Sequence, residues 1–405
     1  MREPEHILLI AFAYAPGRGS EPGIGWNMAH ALARRYRVTV VTRPGQNLPT
    51  EPGLEVVEIS PILWPTGFAP SPGSSMWQLY YYAWTRALSA QLPAVVDRLD
   101  PDLVQHVTYM RYWMPSAADT AGRPFVWGPV GGGEGMPDRF ISTLPPHVRR
   151  AELLRDTVRA TWERDPALVR TAHNATVALA TTPESAARME VLMGADVPVC
   201  PGVGLTPEEF DLLATTPAPG EETFEILSIG RLLDWKGYDL AVEAMAELPQ
   251  SVRYTIVGDG PERGRLEALA AQLGVSDRVA FTGWMDRSEV LKRVAGAHTL
   301  MHPSYHDSGG MVCLEAMAAS RPVITLEGNG PAVLTGPAGL PVAAPTREGA
   351  VRGIRRAVER LADDRVLRQH LGQTGQRRVR DHFLWDRRVD ALAPHFDRAL
   401  TGGRP

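Results

Sequence analysis

The sequence predicts an α/β protein of two Rossmann-like domains, each with a parallel sheet covered by helices on both faces. Three observations lead there. Apolar runs of strand length alternate with helical patterns through the first 181 residues, and β-α-β alternation implies parallel strands with right-handed crossovers. The same alternation restarts at Phe224. Between the two runs, Pro201–Gly220 is rich in Pro, Gly and Thr, as interdomain linkers are. A chain of 405 residues is long enough for two cores of ordinary size. The expected bounds are 1–202 for the first domain, 203–222 for the linker, 223–382 for the second domain and 383–405 for a closing helix.

Strands of the first half are expected at His6–Ala13, Tyr36–Thr42, Leu54–Ile59, Asp102–Val107, Pro124–Val130 and Ala175–Thr181. Helical patterns fall between several of them, at Trp26–Arg35, Trp77–Arg98 and Pro183–Met193. In the second half the strands are Phe224–Gly230, Val252–Val257, Val279–Thr282, His298–His302 and Pro322–Leu326. The helices are Gly237–Glu247, Arg263–Leu273, Ser288–Ala295 and Met311–Ala319, and from Arg347 onward the chain is mostly helical. Ligands of open α/β sheets bind beyond the carboxyl ends of the strands, so a cleft between two facing sheets is the expected site.

Composition narrows the function. The 44% apolar and 22% charged fractions are those of a globular protein, and a net charge of -4 disfavours nucleic acid as a partner. Two cysteines, Cys200 and Cys313, make neither a disulfide framework nor a Cys-based zinc site; they read as reduced, buried thiols of a cytoplasmic protein. The apolar run Ile7–Ala13 is short, and its leader carries Glu3 and Glu5, so it reads as a first strand and not as a signal peptide. No apolar run approaches the ~20 residues that span a bilayer. The Arg-rich segment His147–Arg170 is interleaved with acids and gives a weak signal for peripheral membrane contact. The oligomeric state is not legible.

The chemistry concentrates in two segments. Ser228–Gly237 carries Arg231 and Lys236 where an apolar run gives way to a helix. Asp307–Glu315 puts Gly309-Gly310 at the start of another helix, with a carboxylate on either side. Two cations beside a helix N-terminus suit a doubly charged phosphate, because exposed N–H groups and the macrodipole favour anions. Carboxylates suit sugar hydroxyls. Of 42 basic residues only Lys236 and Lys292 are lysine, so a chain that otherwise uses arginine places a compact point charge in this motif.

With Val257–Glu262 and Phe281–Trp284, these segments resemble the nucleotide-binding half of retaining glycosyltransferases of family 4, which have the GT-B fold. The resemblance is continuous over Phe224–Val323 and looser over the first 200 residues. It implies that Arg231 and Lys236 hold the donor diphosphate, and that Asp307 and Glu315 are the two acids of the E-x7-E motif, with Glu315 on the ribose. It implies further donor contacts from Gly230, Ser308, Gly309, Gly310, Met311 and Val312. Asp307 stands where glutamate is usual, and Gly309 where an aromatic is common, so the donor sugar or its tilt is expected to differ.

Each candidate has a structural alternative. Arg231 and Lys236 form either the phosphate site or a solvated helix start. Glu315 lies among apolar residues and needs a partner, either ribose hydroxyls or an arginine in the core. Asp307 either contacts the donor sugar or caps the helix. Gly17–Gly25, whose glycine spacing is not that of the dinucleotide fingerprint, is either a cleft-facing loop or a structural turn. In the first role Gly23 and Gly25 approach the diphosphate and Glu21 the acceptor. Gly131 and Gly132, in the loop Gly128–Glu134, are further acceptor-side candidates. Many relatives carry a histidine at the donor sugar near here; His106 is the best substitute, and otherwise a core histidine. The aromatic run Met76–Trp84 reads as core packing ahead of sugar stacking or membrane contact.

The expected function is metal-independent, retaining transfer of a sugar from a nucleoside-diphosphate sugar to a hydroxyl acceptor, with no cofactor beyond that co-substrate. A pyridoxal-phosphate phosphorylase of related architecture, held through Lys236 or Lys292, is one alternative. A non-catalytic nucleotide-sugar binding protein is another, and a nicotinamide dehydrogenase is disfavoured by the missing fingerprint.

Overall fold

The computed structural model describes residues 5–402, apart from 18, 47, 50–52, 63, 66–68, 72–74, 137 and 143; Glu3 of the leader lies outside them. Through residue 203 the chain runs β1 (His6–Ala11), α1 (Ser20–Ala33), β2 (Arg37–Thr42), β3 (Glu55–Glu58), α2 (Ser75–Leu99), β4 (Leu103–Val107), β5 (Phe125–Val130), α3 (Asp138–Ile141), α4 (Pro146–Trp162), α5 (Pro166–Asn174), β6 (Val177–Ala180) and α6 (Pro183–Met193). The strands form one parallel sheet of order β3-β2-β1-β4-β5-β6.

Alternation along β1 explains why this sheet is buried on both faces. Leu8 and Ile10, continued by Phe12, point into a core built with Trp77, Tyr80, Tyr81 and Trp84 of α2. Ile7, Leu9 and Ala11 point the other way, against Met28 and Leu32 of α1. The aromatic run of α2 is therefore core, packed edge-on around Phe12 at centroid distances of 4.9 to 5.4 Å for Trp77, Tyr81 and Trp84. Both cysteines are free and buried.

The second half runs α7 (Pro207–Ala214), β7 (Phe224–Ile229), α8 (Tyr238–Met245), β8 (Val252–Val257), α9 (Arg263–Gln272), β9 (Val279–Gly283), α10 (Arg287–Gly296), β10 (Thr299–His302), α11 (Met311–Ala318), β11 (Val323–Leu326), α12 (Gly330–Thr335), β12 (Gly339–Val342), α13 (Arg347–Asp363), α14 (Arg365–His382) and α15 (Trp385–Leu400). Its sheet, also parallel, has the order β12-β11-β10-β7-β8-β9, so β7 and β10 are adjacent at its centre. The two parallel α/β sheets expected from the sequence are both present.

The chain groups into two compact units: Met1–Gly133 with Val158–Val203 and Trp385–Pro405, and Glu134–Thr157 with Gly204–Leu384. The stretch Glu134–Thr157, placed in the first domain from sequence, thus belongs with the second. Its Phe140, Leu144 and Val148 enter the core around Phe224, Tyr254 and Ile324, and Phe140 meets Tyr305 at a centroid distance of 5.3 Å. Within the first unit, α15 lays Trp385, Val389, Leu392 and Phe396 against α1 and the sheet, an apolar stripe at helical spacing.

Two local expectations need correction. The stretch read as linker contains α7, because Thr206-Pro207-Glu208-Glu209 is a capping box: Thr206 Oγ1 accepts from Glu209 N and Glu209 Oε2 from Thr206 N, each at 3.1 Å. Composition alone hid that signal. Helix α1 begins at Ser20 and not at Trp26; proline and glycine suggested a loop, but Pro22 sits in the first turn, where a missing N–H costs no helical bond.

Candidate active site

The site of the second unit begins where β7 ends. Gly230, at φ 152°, starts a loop that lies very close to the exit of β8. A Cβ on Gly258 would stand 2.0 Å from the Gly230 oxygen, and one on Gly260 2.3 Å from the Leu232 oxygen. Arg231 projects from this tightly held loop, exposed and without an ion-pair partner among the described residues. A short 3-10 turn, Asp234–Lys236, follows and ends at Gly237 in the left-handed region, φ 66°. A Cβ there would meet the Pro303 oxygen at 2.0 Å, so this glycine lets the turn pack on the segment that leaves β10.

That packing joins the two motifs. Lys236 Nζ lies 2.5 Å from Asp307 Oδ2, which also pairs with His302 Nε2 at 3.1 Å. Burial pushes the Asp307 carboxyl up, but Lys236 and His302 outweigh it and hold the group well below the usual carboxylate range. His302 itself is lowered, chiefly by burial. Asp307 is not the helix cap: the N-cap of α11 is Gly310, at φ 151°, with no side-chain cap bond. The first turn of α11, with Met311 and Val312 half-buried, thus carries backbone donors that no capping side chain occupies. Gly330 seats the preceding loop, since its N–H donates to the Asp307 oxygen at 2.7 Å and its Cβ would stand 2.4 Å from the Ser308 carbonyl carbon. Ser308 Oγ donates to Glu134 Oε2 at 2.7 Å.

Glu315 has an arginine partner for one of its oxygens. It is 1% exposed, and its Oε1 accepts from Arg287 Nη1 at 2.6 Å. Its Oε2 is buried and has no hydrogen-bond partner. Burial pushes this carboxyl up, and the Arg287 charge offsets part of the rise. One oxygen is therefore anchored and the other retains full acceptor capacity in a place where an unmade bond is costly.

The first unit treats its candidates differently. His106, within β4, is fully buried; burial lowers its pKa to about 3, and Nδ1 pairs with Ser116 Oγ at 2.7 Å while Nε2 has no partner. It is a buried, neutral histidine within the first sheet. Glu21 Oε2 accepts from Tyr109 N at 2.9 Å, and burial pushes its carboxyl up. Gly23 and Gly25 are buried in α1, and a Cβ on Gly25 would meet the Ala13 oxygen at 2.3 Å. Gly131 accepts from Tyr112 N at 2.9 Å, and Gly132, at φ 93°, accepts from Arg159.

Several residues here escaped sequence reading. Arg287 is far in sequence from Glu315, so only the proximity of α10 to α11 reveals it, and His302 precedes Asp307 by five residues at the end of β10, where it reads as one more strand residue. Glu134 closes a glycine-rich loop that was read for its glycines. Thr108 and Tyr109 both adopt positive φ, 57° and 58°, directly after β4; nothing in their residue types announces it.

The fold defines a class: two parallel, doubly wound α/β sheets with flanking helices, the architecture of GT-B proteins. Residues 215–378 match the family described as glycosyl transferases group 1, and the chain is related to that family through this half. It is 33% identical over 187 residues to the lipopolysaccharide core biosynthesis glycosyltransferase LpsD of Rhizobium meliloti, covering 46% of this chain and 52% of that one. It is 32% identical over 184 residues to the 2-deoxystreptamine glucosyltransferase of Streptomyces kanamyceticus, covering 42% and 45%. The chain spans about half the length of the curated relatives it matches. In fold it is similar to the sucrose-phosphate synthase of Thermosynechococcus elongatus, with a TM-score of 0.71 at 20% identity over 98% of this chain and all of that one.

Proposed function

We propose that this protein transfers a sugar from a nucleoside-diphosphate sugar to a hydroxyl acceptor, with retention of anomeric configuration and without a metal ion. The observation that carries the reading is Glu315: a buried carboxylate with one oxygen anchored by arginine and the other unpartnered, on a helix that starts without a side-chain cap and follows the loop in which Asp307 pairs with Lys236. Ribose hydroxyls supply the missing donors. The diphosphate is taken by Arg231, Lys236 and the N–H groups from Gly309 to Val312, with Gly230 and Ser308 shaping the loops. Asp307 faces the donor sugar. As the bond from the anomeric carbon to the phosphate oxygen breaks, these cations and dipoles stabilise the departing charge, the largest electrostatic contribution such a site offers. The acceptor hydroxyl forms its bond on the face the diphosphate leaves, and its proton passes to a diphosphate oxygen.

Metal independence follows from where the positive charge comes from, since Arg231 and Lys236 are protein side chains. Among the described residues no group of three His, Cys, Asp or Glu is gathered as metal ligands are. No described helix is long and apolar enough to cross a membrane. The test is a panel of UDP-, GDP- and ADP-sugars with monosaccharide acceptors, in excess chelator, with product anomers read by NMR. Nucleoside diphosphate release with retained configuration is expected. A strict need for magnesium or manganese, or an inverted product, overturns the mechanism.

A further inference from the structure

Arg287 lies in neither motif, yet it sits at the one acid that a ribose would meet. Its Nη1 donates to Glu315 Oε1 at 2.6 Å and its Nη2 to Glu209 Oε1 at 2.9 Å. Glu209 is itself fixed, because its other oxygen closes the α7 capping box on Thr206 N at 3.1 Å. A planar guanidinium stretched between two anchored acids has little freedom to swing, which a lysine ammonium could not reproduce at both ends. The consequence falls on Glu315. With Oε1 taken, the carboxylate plane is set and the buried, unpartnered Oε2 is the oxygen left for a ligand.

We infer that Arg287 is a positioning residue for ribonucleotide recognition: held by Glu209, it keeps Glu315 oriented so that Oε2 accepts from a ribose hydroxyl. This rests on the reading of Glu315 as the ribose acid. The specificity it confers is for a vicinal diol on the nucleoside, independent of base and of transferred sugar. Without Arg287 the buried carboxylate loses its counter-charge and the bond that sets its plane, and Oε2 is no longer held toward the ligand.

The decisive measurement is a ratio of affinities. UDP, GDP and ADP are titrated by calorimetry into the full chain, and the tightest is compared with its 2′,3′-dideoxy counterpart. The wild-type protein should prefer the ribonucleotide by about 10- to 100-fold, the worth of a hydrogen bond to a charged group. Arg287→Ala should bring the ratio close to one while leaving dideoxynucleotide affinity near wild type, and Arg287→Lys should not restore it. Glu209→Gln, which preserves the fold if Arg287→Ala does not, should lower the ratio by several-fold. A merely structural arginine would weaken both nucleotides equally and leave the ratio intact; that result, with Glu315→Gln collapsing it, overturns the role of Arg287. A wild-type ratio in Glu315→Gln removes the ribose reading itself, and the role of Arg287 with it.

Discussion

The two α/β units use the same residue types to opposite ends. In the first, the groups that looked chemical bond to neighbours within the unit. His106 spends Nδ1 on Ser116 inside the sheet, Glu21 holds the Tyr109 N–H, and Gly25 makes room for the Ala13 oxygen. In the second, groups of the same kinds keep capacity in reserve. Arg231 makes no ion pair among the described residues, α11 starts without a side-chain cap, and Glu315 keeps one buried oxygen unmatched. An unmade buried bond is not by itself the difference, since His106 Nε2 also lacks a partner. What the second unit adds is charge: its unmatched oxygen belongs to a carboxylate held by Arg287, and Lys236 of one motif pairs with Asp307 of the other.

The largest expected effect tests the second unit. Lys236→Ala and Arg231→Ala should each lower turnover by about two to three orders of magnitude, as loss of one electrostatic stabiliser does elsewhere. Circular dichroism should show both folded. Activity near wild type in either variant would erase the contrast between the units. Asp307→Asn should follow, with turnover down by roughly 10- to 100-fold, because the neutral amide gives up a charge-assisted bond to Lys236. Nucleoside diphosphate affinity, measured by titration, should change little; a parallel loss of affinity would mean that Asp307 serves mainly to place Lys236 on the diphosphate.

Smaller effects test the first unit. Gly25→Ala puts a Cβ 2.3 Å from the Ala13 oxygen and should destabilise by about 1–3 kcal/mol in chemical denaturation. Gly264→Ala, in α9 with nothing within 4 Å of the added carbon, should be neutral or stabilising by up to about 1 kcal/mol. Equal outcomes would deny the close packing at α1. The smallest effect is a slope. The His106 pKa of about 3 lies below its unfolded value near 6.5. Its stability contribution is therefore complete above about pH 6.5 and declines as pH falls toward 3, since the unfolded chain takes up a proton that the native core refuses. His106→Asn should flatten the fall in stability between about pH 6 and pH 4 by up to about 1.4 kcal/mol per pH unit. It should leave turnover per folded molecule unchanged; a slowed turnover would return His106 to the reaction.

By itself the sequence determined most of the strand and helix pattern and singled out the polar residues of the second site. Period-2 and 3.6 patterns dictate which faces are buried, so β8 (Val252–Val257) was legible to the residue, and others, such as β7 and α11, to within one. The bounds of α1 and the existence of α7 were misread because composition was weighed above cap geometry. Arg231, Lys236, Asp307 and Glu315 were legible because short local segments carry them. Tertiary structure alone decided their partners. Lys236 meets Asp307 only because β7 and β10 are neighbours and Gly237 lets the turn close on Pro303. Glu315 meets Arg287 only because α10 and α11 lie side by side. It also decided that His106 is core, since burial of one residue within a strand depends on every element packed over it, and no local pattern encodes that.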